Sequence, residues 1–301
     1  VYPVSAIHGM GIADLLDLVV ASLPSKVELE EETEAARLAI VGRPNVGKSS
    51  LLNQLLGQER AIVSPVAGTT RDALDTELTW EDRHVILIDT AGIRRRGKIQ
   101  WGVEKYSVLR ALKAVERAEV ALLLIDATEG ITSQDSHIAG LIAQQGVSIV
   151  VLINKWDAVP QEMREKGLYL ETMVREQLKF MPYIPVLFIS ALTGLHVNRV
   201  IPTALEVVQA RYQRIPTGQL NDTLQQALAA HSPPNIRGRK LKLYYATQPE
   251  VAPPTFVLFV NDPRLAHFSY IRYLENRIRE IYPFPGTPLR IKMSGHKKRG
   301  T

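Results

Sequence analysis

One eight-residue stretch limits the folds open to this chain more than any other. Gly42-Arg-Pro-Asn-Val-Gly-Lys-Ser49 has the form G-x-x-x-x-G-K-[ST], between the apolar run Leu38–Val41 and a helical pattern over Ser49–Leu56. In that context the loop amides can turn around a polyphosphate, with Lys48 neutralising its terminal oxygens and Ser49 offering a hydroxyl to magnesium. The following helix N-terminus adds a favourable field. The candidate phosphate-binding residues are Gly42, Arg43, Pro44, Asn45, Val46, Gly47, Lys48, Ser49 and Ser50. The other apolar runs are Val85–Ile88, Val120–Ile125, Ser148–Ile153 and Ile184–Ile189. They are near-continuous rather than alternating, as strands covered on both faces must be. Helical stretches at Val103–Val115, Gln134–Gln145, Leu168–Lys179 and Val197–Tyr212 separate or follow them. The weakly alternating Ala73–Thr79 reads as an antiparallel edge strand. The expectation is an α/β P-loop domain with a mostly parallel sheet over residues 37–215.

The chain has 301 residues, 46% of them hydrophobic, which suits two domains and excludes a disordered or fibrous chain. It has no cysteine, so disulfide scaffolds, thiol nucleophiles and cysteine-ligated metals are excluded. The apolar runs are too short to span a bilayer, and no basic-then-apolar signal opens the chain. A soluble cytoplasmic protein without a membrane partner is expected. Residues 216–301 carry 13 Lys and Arg against 5 Asp and Glu, net +8. The preceding 215 residues carry 23 against 26, net −3. Such an asymmetry points to a polyanionic partner for the last part, or to a solubilising surface.

Ser5-Ala6…Gly9 and Ser190-Ala191…Gly194 align at a constant offset, and each leads into a helix that runs to a proline, Pro24 or Pro216. A repeat whose first copy is only a tail suggests that residues 1–24 are the remnant of a first, duplicated domain. Residues 25–36, rich in glutamate, read as a linker. After Pro216 a helix at Leu220–Ala230, strands at Lys240–Thr247 and Thr255–Val260, a helix at Phe268–Tyr282 and a strand at Leu289–Met293 predict a small α+β domain. Pro249, Pro253 and Pro254 fall in the loop between its first two strands, and the tail from His296 reads as frayed.

Two more motifs end strands on the edge that bears the phosphate loop. Asp89-Thr90-Ala91-Gly92 follows Val85–Ile88, where Asp89 can hold magnesium through water and Gly92 can turn an amide toward a terminal phosphate. Asn154-Lys-Trp-Asp157 follows Ser148–Ile153. The Asp157 carboxylate can accept the N1 and N2 protons of guanine, a donor pair that adenine lacks. Asn154 can bond the base edge and tie back to the phosphate loop, Lys155 can cover a base face, and Ser190-Ala191-Leu192 can offer an amide to guanine O6. Together they describe a guanine nucleotide pocket.

These motifs, with Gly68-Thr-Thr-Arg-Asp72 and the Pro44-Asn45 pair, resemble the Der/EngA family of tandem-G-domain ribosome-assembly GTPases. The likeness covers essentially the whole chain: the tail of a first G domain, an acidic linker, a second G domain, and a basic KH-like domain at 216–301. The resemblance implies a GTP-hydrolysing switch, acting as a monomer in assembly of the large ribosomal subunit. Its implied partners are that subunit's rRNA and an adjacent first G domain, and its implied cofactors are GTP or GDP, Mg2+ and K+. It implies that Thr70, or its neighbour Thr69, is the switch I threonine reaching magnesium, that switch I spans Gln58–Asp72, and that switch II spans Ile93–Tyr106. It implies that Asn45 coordinates potassium, the alternative being a loop-stabilising side chain. Ile93 stands where other GTPases carry a water-orienting glutamine, so slow intrinsic hydrolysis is expected. Arg94-Arg-Arg-Gly-Lys98 either grips phosphate, an acidic surface or RNA, or is solvated. No two glycines after Pro216 are three apart, so the G-x-x-G clamp of RNA-binding KH domains is missing. Arg237, Arg239, Lys240, Lys242, Arg290, Lys292, Lys297, Lys298 and Arg299 remain as candidate RNA contacts. Two other readings stay open: a P-loop phosphotransferase acting on a metabolite, and a structural RNA-binding protein with an inactive nucleotide site.

Overall fold

The computed structural model describes residues 35–63, 75–95, 112–164, 167–233, 235–236 and 238–295. Residues 1–34, Thr69, Thr70, the Arg94–Lys98 side chains, most of both switch segments, Arg237, and the tail with Lys297, Lys298 and Arg299 lie outside that description.

Strand β1 (Ala36–Gly42) is the pivot of a seven-stranded sheet ordered β2-β3-β4-β1-β5-β6-β7. Its neighbours β4 (Arg83–Ile88) and β5 (Val120–Asp126) both run parallel to it. Strand β6 (Ser148–Asn154) pairs parallel with β5, and β7 (Val186–Phe188) with β6. Alternate residues of one strand feed two different cores. Leu38 and Ile40 face one cluster and Ala39 and Val41 the other; Leu122 and Leu124 divide likewise from Leu123 and Ile125. Both faces are therefore apolar, which is why the runs are continuous in sequence.

Helix α1 (Lys48–Leu56) covers the first face with Leu51, Leu52 and Leu55, each fully buried, at about 1.5–3 kcal/mol apiece. Helix α2 (Thr90–Arg95) follows β4, and helix α3 occupies 112–117. Helix α4 (Ser133–Gln145) and α5 (Gly167–Gln177) lie on the second face, through Ile138, Ala139, Ile142 and Val174. Helix α6 (Val200–Arg211) returns to the first. The expected antiparallel strand is β3 (Thr76–Trp80), paired with β4, but it is not the edge. The short β2 (Ala61–Val63) pairs outside it, too brief to leave a periodic signature.

The last part has its own core. Helices α7 (Thr217–Ala230) and α8 (Phe268–Ile281) bury Leu220, Leu224, Ala227, Tyr270, Leu274 and Ile278 against Ala246, Phe256, Leu258 and Val260. Those four belong to a sheet ordered β10-β11-β12, with β10 (Leu243–Val251), β11 (Pro254–Val260) and β12 (Arg290–Gly295). Pro249 lies inside β10 and Pro254 opens β11, so the loop assigned to the three prolines is shorter than expected. β10 is an edge strand whose register shifts between Thr247 and Glu250, and a bulged edge tolerates a missing N–H. A two-residue hairpin, β8 (Asn235–Ile236) with β9 (Arg239–Lys240), precedes it.

The two parts meet at the amino-terminal edge of the large sheet. Ile149 N–H donates to Gly286 O (2.7 Å), and Gly286 N–H donates to Tyr183 O (2.8 Å). Only glycine fits there: its φ is +64°, and a Cβ would lie 2.6 Å from Ile149 O. The Arg279 guanidinium lies 3.8 Å over the Tyr183 ring, whose hydroxyl burial pushes up to about 12.

Candidate functional site

At the opposite, carboxyl edge, β1, β4, β5 and β6 end side by side. The loop after β1 closes on α1 through Gly47, with φ +102°; a Cβ there would meet Asn154 Nδ2 at 2.2 Å. That contact is what joins the motifs. Asn154, buried at the end of β6, donates from Nδ2 to Val46 O (2.8 Å) and accepts Ala191 N–H at Oδ1 (2.8 Å). Val46 anchors its side chain in the core, whereas Pro44 and Asn45 are exposed, Asn45 with φ +63°. Lys48 Nζ donates to Gly42 O (2.9 Å) and Arg43 O (2.5 Å), which keeps it over the loop. Ser49 Oγ donates to Ile93 O (3.1 Å), while the Ile93 side chain packs on the core; Ser50 is exposed.

Arg43 behaves differently from the rest of the loop. Its Nε reaches both carboxylate oxygens of Asp135 (2.9 and 3.0 Å), and Nη2 pairs with Glu129 (2.8 Å). The side chain braces the loop against α4, which leaves only its backbone for a phosphate. Asp135 also completes a capping box with Thr132 at the start of α4. Asp126, at the end of β5, pairs with Lys155 Nζ (2.5 Å) and accepts from Thr128. Burial alone would raise this carboxyl, but the Lys155 and Thr128 bonds hold it below the usual carboxylate range. Asp126, Glu129 and Asp135 escaped the sequence reading, although Thr132-Ser-Gln-Asp135 before an apolar helix is a readable capping signal.

Asp89 is half-buried with φ +54°, and its N–H donates to Asp75 Oδ1 (2.9 Å). Asp75 is held in turn by Arg117, a second brace without sequence signature. Thr90 is buried, its hydroxyl 2.6 Å from that of Thr76, and Ala91 and Gly92 continue α2. Asp157 Oδ1 is shielded from solvent and has no hydrogen-bond partner among the described residues. Trp156 is fixed by Phe188 at 4.5 Å. Ser190 is buried and Leu192 is 80% exposed; with the Ala191 amide taken by Asn154, the Leu192 amide is the one left for a ligand.

Of the basic candidates, Arg239, Lys240, Lys242, Arg290 and Lys292 are exposed. Arg290 Nη2 donates to Gln145 O (3.1 Å) at the junction. Among the described residues no helix is long and apolar enough to cross a membrane.

A phosphate loop at the switch point of a mostly parallel sheet, tied to a base-edge motif and followed by an α+β layer domain, defines a P-loop G domain joined to a KH-like domain. Residues 37–155 match the family described as 50S ribosome-binding GTPase, and residues 214–293 match the KH-domain-like C-terminal region of EngA bacterial GTPase enzymes. The chain is 56% identical over 292 residues to GTPase Der of Thermomicrobium roseum, an alignment covering 96% of this chain and 63% of that protein. It is 52% identical over 299 residues to GTPase Der of Caldanaerobacter subterraneus subsp. tengcongensis, covering 99% and 67%. The chain belongs to the GTPase Der family, and spans about two thirds of the length of these relatives. A solved structure of Era with MgGDPNP and a 16S ribosomal RNA fragment is 22% identical, covering 87% of this chain and 94% of that one at a TM-score of 0.43, too distant to carry an argument.

Proposed function

We propose that residues 37–215 form a guanine-nucleotide switch that binds and slowly hydrolyses GTP, and that with the basic domain at 216–301 it assists assembly of the large ribosomal subunit. The observation that carries the nucleotide reading is the shielded, unpartnered Asp157 Oδ1 beside the doubly bonded Asn154. A buried carboxylate oxygen without a donor is costly, and the guanine N1 and N2 protons are the donors that would satisfy it. Lys48 and the loop amides would hold the phosphates, and the Leu192 amide would meet guanine O6.

Magnesium would be held by Ser49, by Asp89 through water, and by Thr70 of switch I, with the phosphates themselves as further ligands; when bound it neutralises charge on the β- and γ-oxygens. Asn45, exposed at the loop tip, is free to ligate potassium, which would add positive charge at the same oxygens. Ile93 turns an apolar side chain to the core and cannot orient a water, so unassisted hydrolysis is slow. The ribosomal part rests on family membership and on the +8 charge of 216–301. The linker expected at 25–36, whose last residue Ala36 instead opens β1, the remnant at 1–24 and contact with a first G domain belong to the same reading.

Competition binding with GTP, XTP and ATP tests it. Asp157→Asn should lose GTP affinity and gain XTP affinity. A wild-type preference for ATP, or an unaltered GTP preference in the variant, overturns the guanine assignment.

A further inference from the structure

The small sheet of the C-terminal part has one face under α7 and α8 and one that no helix covers among the described residues. Strand alternation and register assign the residues of the open face. Ala246, Phe256, Leu258 and Val260 are buried inward. The open side therefore carries Tyr245 on β10, Val257 and Phe259 on β11, and their β12 partners Lys292 and Ser294. Tyr245 and Phe259 are cross-strand neighbours with ring centroids 5.9 Å apart, exposed by 46% and 37%. Two large aromatic rings half in water on one face are not needed by the core, which is complete on the other side.

Charge is segregated across the same sheet. On the helical side and in the turn before it, most arginines are paired: Arg264 with Asp262, Arg277 with Glu280 and Arg279 with Glu275, while Arg272 turns to Lys179 O at the junction. Among the described residues, Lys240, Lys242 and Lys292 pair with no carboxylate, whereas Arg239 lies in the field of Asp262. These three lysines lie on or beside β9, β10 and β12 and are exposed. Glu250, the one acid within these strands, sits at the junction end, bonded by Thr255 Oγ1 (3.1 Å). The open face thus offers stackable rings flanked by free cations, while the G-x-x-G clamp that would hold a strand elsewhere in such a domain is missing.

We propose that this face binds single-stranded RNA, with bases stacking on Tyr245 and Phe259 and the backbone following Lys242 and Lys292. Rings flanked by unpaired cations favour a polyanion with π-faces over a protein surface. The inference rests on the ribosome-assembly role proposed above for the basic domain and gives that role a site and a strand type.

The test uses the whole chain, a fluorescein-labelled single-stranded RNA decamer, and the same strand in a duplex, with anisotropy read across a potassium chloride series. Wild type should prefer the single strand. Tyr245→Ala and Phe259→Ala should each weaken it about tenfold, with melting curves unchanged and Phe259→Tyr restoring it. Lys292→Gln should reduce the slope of log affinity on log salt by about 0.7. Wild-type affinity in both alanine variants, equal binding of duplex and single strand, or no binding of either probe overturns the proposal; the last leaves the face to a protein partner. Co-sedimentation with large ribosomal subunits is run in parallel. Intact co-sedimentation with a failed decamer test refutes this face alone, whereas none at low salt refutes the broader role.

Discussion

Asp135 has two tasks at once, and neither touches a ligand. Its carboxylate caps α4 and takes both short contacts from Arg43, a residue inside the phosphate loop. With Asp135 fully buried and the Arg43 side chain 15% exposed, removing the acid leaves a largely desolvated cation with the exposed Glu129 as its remaining carboxylate. Asp135→Ala should therefore cost about 3 kcal/mol of stability, more than the roughly 1 kcal/mol of a lost cap alone. Urea denaturation checks it; a loss near 1 kcal/mol would mean that the Arg43 contact contributes nothing. Asp126 gives a pH signature of its own. Its carboxyl sits below the usual range in the folded chain, so the unfolded chain binds its proton first as pH falls. The stability it contributes is present above about pH 4 and is lost as pH drops through its lower folded value. Asp126→Asn should flatten that part of the acid limb while changing little at pH 7 beyond the lost Lys155 pair, which is discounted by the partial exposure of Lys155. An unchanged acid limb in a denaturation series would refute this.

At the scale of elements, what the sequence made legible is what repeats. Strands buried on both faces wrote continuous apolar runs, and α8 wrote its inward stripe at Tyr270, Leu274 and Ile278. Elements of two or three residues, such as β2, β8 and β9, are too short to carry a period, and Pro249 of β10 reads as a break because a bulged edge cannot be inferred from one strand alone. The same limit applies to the site. Glycines, lysine and the base-edge motif stand in ordered spacing, but Asp75 and Glu129 in loops and Asp126 at the end of β5 act on basic partners far along the chain. The turn Phe284–Thr287 is a further case, since nothing local says that it docks on β6. Its requirement is steric. Gly286→Ala places a Cβ 2.6 Å from Ile149 O at φ +64°. It should cost about 1–3 kcal/mol and leave far-UV circular dichroism unchanged. Wild-type urea stability would show that the turn relaxes away from the strand.

Across the whole molecule, β6 connects two edges with different work. It begins at Ser148, whose Oγ lies 3.1 Å from Thr287 Oγ1 at the junction, and ends at Asn154 beneath the phosphate loop. Seven residues at about 3.3 Å each separate these ends by roughly 20 Å. Arg211, the last residue of α6, closes the junction edge: its Nη1 donates to Gly146 O (2.7 Å) and to Ser148 Oγ (3.4 Å). Burial pulls its guanidinium down, with Tyr212 and Glu119 pulling the other way, and its Nε has no hydrogen-bond partner among the described residues. Arg211→Met removes two hydrogen bonds but also relieves a poorly compensated charge, so the net loss should be about 1–2 kcal/mol, below that of a broken buried ion pair. Because the packed middle of β6 is untouched, GTP and GDP affinities should stay within about twofold of wild type, a difference worth under 1 kcal/mol. Calorimetric titration beside urea denataturation separates the two quantities. A stability loss with constant nucleotide affinity means that the edges work independently through a rigid strand. A tenfold change in the GTP-to-GDP ratio would mean instead that the C-terminal part reads the nucleotide through β6, and the division of labour argued from the two edges would fall.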